Sequence, residues 1–443
     1  MSRVLEVLKD RRMGRRMNVK TQLMLVVFLI GYAAQAQHKN VEIAVLAEGG
    51  KRSIPTVAIS RKDANVIVVK GPGDTFYLSN DGGATWQPNA VGGMEQAEWM
   101  TLTSDSKGNL YAVYAAPVDN HYRVMISQSK DNGKVWSSGT PVSPSGGEQK
   151  YPGASFDLKG NLHVTWTESM TNADGKCESV IMMSSTSNGS KWSKPMRVSQ
   201  IGGGCEENNE YATGGIPAVA PDGKSFVGWC NNGKIMLDRS FSSNFWLEND
   251  ITVQDITPGW KLNVPGYKYV ASPPQLLVDQ TKGTYHGCIY MTWSDQRDGE
   301  GNTNVWFTRS NNYGDNWASP TRLAAGEPSS EQYGSRMAID QSTGYIYVLF
   351  FDRGAHDDDQ TDVVLAYSSE SGGSFKTVTI SEAPFIADDN SGAGVYLDIA
   401  AYGGVIVPVW TKTQDNKTTL VSTTIRQDEL IKPAGQPKAK KKK

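Results

Sequence analysis

Four cysteines in 443 residues are too few to staple a disulfide scaffold, and a chain this long can bury enough apolar surface to need none. Histidine is nearly as scarce: the five, at 38, 121, 163, 286 and 356, share no metal-ligand spacing. Only 20% of residues are charged, and the apolar run Leu23 to Ile30 falls well short of a membrane-spanning helix. No glycine-rich loop leads from a strand into a helix, so no nucleotide cofactor is implied. Basic charge is missing where nucleic acid would need it. Residues 1–36 hold seven Lys/Arg and two Asp/Glu, and the last twelve residues hold six lysines, so the body between carries 31 basic against 44 acidic residues. An acidic body excludes a nucleic-acid footprint.

Glycine and aromatics are plentiful: 45 Gly, 12 Trp and 18 Tyr suit many short strands joined by tight turns. Arg15, Arg16 and Lys20 precede the apolar run, and Ala34-Gln35-Ala36 follows it as a small-x-small cleavage site. Residues 1–36 therefore read as a signal peptide, with Met17 as an alternative start, and the mature chain is expected to be secreted or periplasmic. Residues 431–443 read as a disordered Lys-rich tail. Residues 37–430 are expected to form the folded domain, a monomer with no transmembrane segment.

The pattern Ser-x-Asp-x-Gly-x-x-Trp is complete at Ser79–Trp86, with Asp81 and Gly83, and at Ser129–Trp136, with Asp131 and Gly133. Degenerate copies run Ser185-Ser187-Gly189-Trp192, Ser310-Asn312-Gly314-Trp317 and Ser368-Glu370-Gly372-Phe375, and a sixth lies around Asp238 to Trp246. A short acidic side chain can bond nearby backbone N–H groups, glycine supplies a conformation other residues resist, and the aromatic packs between sheets. This is the Asp-box, and the chain resembles the sialidase-like propellers that carry it. The resemblance covers nearly all of the mature sequence and implies an all-β, single β-propeller.

Inner strands open near Ile54, Trp99, Tyr151, Ile216, Pro274, Met337 and Val395, which makes seven four-stranded blades. The seventh lacks an outer strand, and Val41 to Leu46 has no other home; pairing it with Leu420 to Thr424 would close the ring. Six blades, as in sialidases proper, are the alternative. With strands lettered a to d from the axis outward, the Asp-boxes and a–b turns share a lower face. The b–c and d–a loops share an upper face, where propellers of this type bind ligands.

The position two residues after the strand-b aromatic is polar in five blades: Glu168, Asn231, Asp295, Asp352 and Lys412. Arg297 and Arg353 follow two of these closely. The d–a loops add Glu95, Glu98, Glu148, Glu210, Tyr211, Glu331, Tyr333 and Arg336. As a rim of acids, bases and aromatics the set suits a sugar, whereas any one member alone is equally a strand end meeting water. Asp295, Asp352 and Glu168 are the expected catalytic acids. Arg297, Arg353, Arg336, Lys412 and Asn231 are the expected substrate contacts.

The resemblance implies a Tyr–Glu nucleophile pair, an Asp acid/base and three carboxylate-binding arginines. Tyr396 fits the nucleophile by position. The arginine of the family's Arg-Ile-Pro motif is replaced by Ser53, with Arg52 one residue away, so strict sialidase chemistry is not expected. Cys177 and Cys205 fall in neighbouring upper-face loops and are the favoured disulfide of three possible pairings. The loop Asp352 to Asp359 offers hard oxygen ligands; a structural calcium there is the alternative to a solvated acidic loop, and no other cofactor is expected. The expected function is an exported carbohydrate-active propeller, with a glycoside hydrolase of the sialidase-like type acting on complex glycans as its catalytic form. The alternative is a non-catalytic propeller that binds a glycan or a protein.

Overall fold

Short strands of alternating burial, cut by glycine turns, fold among the described residues into seven antiparallel blades in sequence order, with a separate two-stranded ribbon, Lys261–Leu262 with Val270–Ala271, between blades 4 and 5. The computed structural model describes residues 38–45, 54–71, 74–94, 96–144, 146–241, 249–324, 331–356, 358–386, 397–414 and 417–431. Six blades are sequential four-stranded meanders, blade 1 being Thr56–Ile59, Ile67–Lys70, Thr75–Ser79 and Gln87–Ala90. The seventh takes strands a to c from Leu397–Tyr402, Val405–Gln414 and Lys417–Ser422, and its outer strand is Val41–Val45 from the other end of the chain. Val41 pairs with Ser422 and Val45 with Thr419, so the N-terminal run closes the ring on the Leu420 to Thr424 segment as expected; Leu46 lies outside the described residues. The signal-peptide and Lys-rich-tail segments also lie outside them.

The period of two along each strand explains the core. In blade 2, Leu110, Ala112 and Tyr114 pack toward blade 1, while Tyr111 and Val113 pack toward blade 3. Every junction between successive blades holds one such buried cluster, including the junction of blade 7 with blade 1, where Val405, Val407 and Val409 meet Val57, Ile67 and Val69. Seven clusters for seven junctions leave no open sheet face around the ring.

The Ser-x-Asp turns carry their own hydrogen bonds. Gly133 N–H donates to Ser129 Oγ at 2.9 Å, and Asp131 Oδ1 accepts from Ser129 Oγ at 2.8 Å and from Val135 N–H at 2.9 Å. Gly133 has φ 87°, and a Cβ there would sit 2.9 Å from Leu78 and Val68 of blade 1, so the residue is required twice over. The blade-3 copy differs from the expected spacing: Thr186 and Asn188, not Ser185 and Ser187, hold the turn, with Gly189 N–H donating to Thr186 Oγ1 at 3.0 Å. It is one residue shorter than the others.

In blade 4 the degenerate site leaves Asp238 buried, and burial, with Asp250 adding, pushes its pKa up to about 6. Burial also raises Asp352 and Asp398. A folded pKa above the unfolded one means the folded protein binds the extra proton. Stability from Asp238 should therefore grow as pH falls from 7 through 6 toward 4, by about 1–3 kcal/mol. Denaturant titrations across this range should show the rise, and Asp238→Asn should flatten it.

Candidate functional site

Four inner strands carry one extra residue near their upper ends: between Glu98 and Thr101, Lys150 and Gly153, Thr213 and Ile216, and Tyr333 and Arg336. Each bulge turns on a left-handed residue. Blades 4 and 6 use glycine, with Gly214 at φ 70° and Gly334 at φ 75°. Blades 2 and 3 place Trp99, φ 46°, and Tyr151, φ 53°, at the equivalent positions. Glycine takes this conformation freely, whereas a bulky residue is strained by about 1–3 kcal/mol. Hydroxyls of the preceding blade brace the neighbouring peptides: Thr101 Oγ1 donates to Pro152 O at 2.9 Å, and Thr165 Oγ1 donates to Gly215 O at 2.6 Å. The fold thus holds two aromatic rings in a costly conformation at the upper mouth.

Around them lies a connected cluster. Trp99 meets Tyr151 at a ring separation of 4.9 Å and Tyr122 at 5.2 Å, and Tyr151 meets Tyr211 at 6.1 Å. Trp99, Tyr122 and Tyr151 are all partly exposed. Tyr151 Oη donates to Glu207 Oε2 at 2.7 Å, and Lys150 Nζ donates to Glu207 Oε1 at 2.9 Å. Lys150 also sits 5.4 Å above the Trp99 ring. Lys261, from the loop between blades 4 and 5, donates to the Glu207 carbonyl and lies 4.2 Å over Tyr269. On the other side, Tyr122 Oη donates to Glu98 Oε1 at 3.1 Å, and Glu148 Oε2 accepts from Tyr122 N–H at 2.9 Å.

The electrostatics divide this cluster into proton holder and charge. Burial raises the Tyr151 phenol, and the Glu207 charge raises it further, so the proton stays on oxygen. Burial pushes Glu207 upward too, but hydrogen bonds from Lys150 and Tyr151 and the charges of Lys150 and Lys261 outweigh it and leave the pKa below the ordinary range. At neutral pH a carboxylate therefore accepts from a neutral phenol beside two ammonium groups.

Glu207 follows two residues after Cys205, which is bonded to Cys177 with Cα atoms 5.9 Å apart. Cys230 and Cys288 are free and buried.

The residues after the strand-b aromatics sit in a different setting. Trp166 Nε1 donates to Glu168 Oε2 at 2.8 Å, and Trp293 Nε1 donates to Asp295 Oδ2 at 2.9 Å; both carboxylates are buried. Where blade 4 has Asn231 instead, its amide donates to Ile201 O at 3.0 Å and the Trp229 N–H has no partner among the described residues. A carboxylate two residues on is the partner of a buried indole. Arg297 closes on Asp295 from its own loop, Nε lying 3.0 Å from each oxygen, and stacks 4.4 Å over Trp306. Asp352 accepts from Gly354 N–H at 2.7 Å.

Arg353 is buried, donating to Thr361 Oγ1 at 3.1 Å, Pro265 O at 2.9 Å and Asp359 Oδ1 at 3.0 Å, and it lies over Tyr333 and Tyr267. Lys412 pairs with Glu42 at 3.1 Å and so ties strand b of blade 7 to the N-terminal strand. Arg336 donates to Ser335 O, with Asp398 as its nearest opposing charge. Tyr396, Ser53, Arg52 and Glu95 lie outside the described residues. Arg297 is spent on Asp295 of its own loop, whereas Arg353 is spent on Thr361, Pro265 and Asp359.

Among the described residues no group of three or more His, Cys, Asp or Glu is arranged to hold a metal ion. No helix there is long and apolar enough to cross a membrane. Sequence reading found Glu98, Glu148 and Tyr211 of the aromatic cluster but missed Trp99, Tyr122, Lys150, Tyr151, Glu207 and Lys261 as site residues. The available signal was the bulge position itself, aromatic in blades 2 and 3 but glycine in blades 4 and 6.

No family model matches the sequence, and no curated protein matches it. Among solved structures, a polysaccharide lyase described as an ulvan lyase of family PL25 is similar at TM-score 0.51 and 11% identity, over 88% of this chain and 99% of its own. The NanB sialidase of Streptococcus pneumoniae is similar at TM-score 0.47 and 10% identity, over 90% and 99% of the two chains. The α-L-arabinofuranosidase of Fusarium graminearum gives 0.47 and 12%, over 89% and 99%. The lyase likeness, at that identity, establishes the fold: a β-propeller that such proteins share.

Proposed function

We propose that this is an exported carbohydrate-active propeller whose glycan lies over Trp99, Tyr122 and Tyr151 at the upper mouth. The observation that carries this reading is the pair of strained aromatics where other blades use glycine, because backbone strain of this kind is concentrated at functional sites. Aromatic faces suit the C–H faces of a sugar, and Glu98, Glu148, Glu207 and Lys150 stand ready for its hydroxyls. The ammonium groups favour acidic units. The neighbours' printed activities, on ulvan, on an arabinofuranoside and as a sialidase, agree with this class of ligand.

Tyr151, on the inner strand of blade 3, and Glu207, in the loop before blade 4, form a Tyr–Glu pair of the kind the Asp-box propeller resemblance implies, at other positions than Tyr396. As Tyr151 Oη bonds to the anomeric carbon its proton passes to Glu207, the glycosidic C–O bond breaks and the departing oxygen takes a proton from water, which is the basis for cleavage rather than binding alone. A disulfide between two upper-face loops agrees with export to an oxidising compartment.

A panel of plant, algal and host glycans, assayed for soluble product and for binding, tests the reading. Trp99→Gly should hold stability to within about 1 kcal/mol, because relief of strain offsets lost ring packing. It should weaken binding by a factor of about 30, the loss of one aromatic anchor. Unchanged affinity in this variant would remove the site from the upper mouth.

A further inference from the structure

At the opposite end of the axis the inner strands of all seven blades surround a cavity of about 220 Å³. Apolar inner-strand residues surround it, Val57, Leu102, Pro217, Val278, Ile339 and Ile399 among them. At the lower mouth the lining becomes polar and one-sided. Arg61, in the a–b turn of blade 1, is the sole charged side chain of the described lining, and no carboxylate joins it there. Its guanidinium makes no hydrogen bond or ion pair within the described residues. Burial lowers its pKa, with Tyr402 and Asp105 opposing. Asp105 is no counter-ion in contact, since its oxygens accept from Lys107 N–H, the Asn109 N–H and amide, and Tyr111 Oη.

The remaining polar side chains of the described lining carry no negative charge. Carbonyls that would repel it are already taken: Gln280 Nε2 donates to Val219 O at 2.8 Å and to Phe156 O at 3.1 Å, and Gln341 Nε2 donates to Val278 O at 2.9 Å. Gln341 Oε1 in turn accepts from Gln280 N–H at 2.8 Å. The Ser155 hydroxyl, on the same wall, is buried without a partner among the described residues. Arg61 itself is held in place by its N–H, which donates to Ser104 Oγ at 3.1 Å. A half-exposed cation with no carboxylate in contact, facing a cavity with room for several waters, offers an anion a counter-charge.

We propose that the lower mouth of the axial channel binds a small oxyanion, with Arg61 as its counter-charge and Ser155 as a second donor. The bidentate fork of arginine matches a phosphate, sulfate or carboxylate. The site lies on the face away from Trp99 and Tyr151 and stands independently of the glycan reading. An anion held between blade 1 and blade 3 at the axis would stabilise the closed ring by linkage.

The test is thermal unfolding across millimolar inorganic phosphate at constant ionic strength. The wild-type Tm should rise by a few degrees and saturate, Arg61→Lys should keep part of the rise, and Arg61→Gln should stay flat. No saturable rise in the wild type, or an equal rise in Arg61→Gln, would overturn the proposal.

Discussion

Arg297→Ala is expected to destabilise the protein by roughly 3 kcal/mol and to leave glycan affinity unchanged. Asp295 is fully buried and faces the Arg297 guanidinium from two sides, with Trp293 Nε1 as its other donor. Removing the arginine leaves a carboxylate inside the junction of blades 4 and 5 with a single side-chain donor, and water reaches it poorly. Stability falls because an uncompensated charge stays buried, which costs more than the pair contributes. Glu168→Ala should behave alike through the orphaned Trp166 N–H, at about 1–3 kcal/mol. Denaturant midpoints check both. If instead the arginine gripped substrate, its removal would spare the midpoint and abolish binding.

The second large effect falls on turnover. Tyr151→Phe and Glu207→Gln should each reduce product release by about 100-fold or more while the folded protein stays intact. Tyr151→Phe removes one oxygen from a partly exposed ring, and Glu207→Gln keeps the hydrogen-bonding shape while deleting the charge. Because the two groups act as one unit, the double variant should lose scarcely more than either single change. Glu207 carries a lowered pKa, so the acidic limb of the pH–rate profile should fall below the ordinary carboxylate range, and Glu207→Gln should erase it. Full activity in Tyr151→Phe would reassign the chemistry; loss of turnover with binding retained would separate catalysis from recognition.

The fold was legible because propeller rules are local. Gly83 and Gly133 mark turns, Trp136 marks the packing between blades, and the unpartnered Val41 to Val45 run marks the closing strand. The site was less legible for a physical reason. Reading polar residues at strand-b ends treats polarity as a sign of solvent, but Glu168 and Asp295 are buried because the indole two residues earlier needs an acceptor. That bond is visible only once the side chains of one strand face are known to touch. Trp99 and Tyr151 read as ordinary strand residues until their φ values set them beside Gly214 and Gly334. Glu207 comes to the site through tertiary contact, since its loop lies more than fifty residues from Tyr151 and is joined by the Tyr151 and Lys150 hydrogen bonds and the Cys177–Cys205 bond.

A crystal structure with an oligosaccharide from the glycan panel tests the central claim most directly. The account predicts a sugar ring stacked on Trp99 or Tyr151, a hydroxyl or glycosidic oxygen within hydrogen-bond reach of Tyr151 Oη or Glu207, and no movement of Asp295 or Arg297. Density for the sugar at Arg297 or Arg353, or on the face of the Ser-x-Asp turns, with Trp99 and Tyr151 bare, would contradict it.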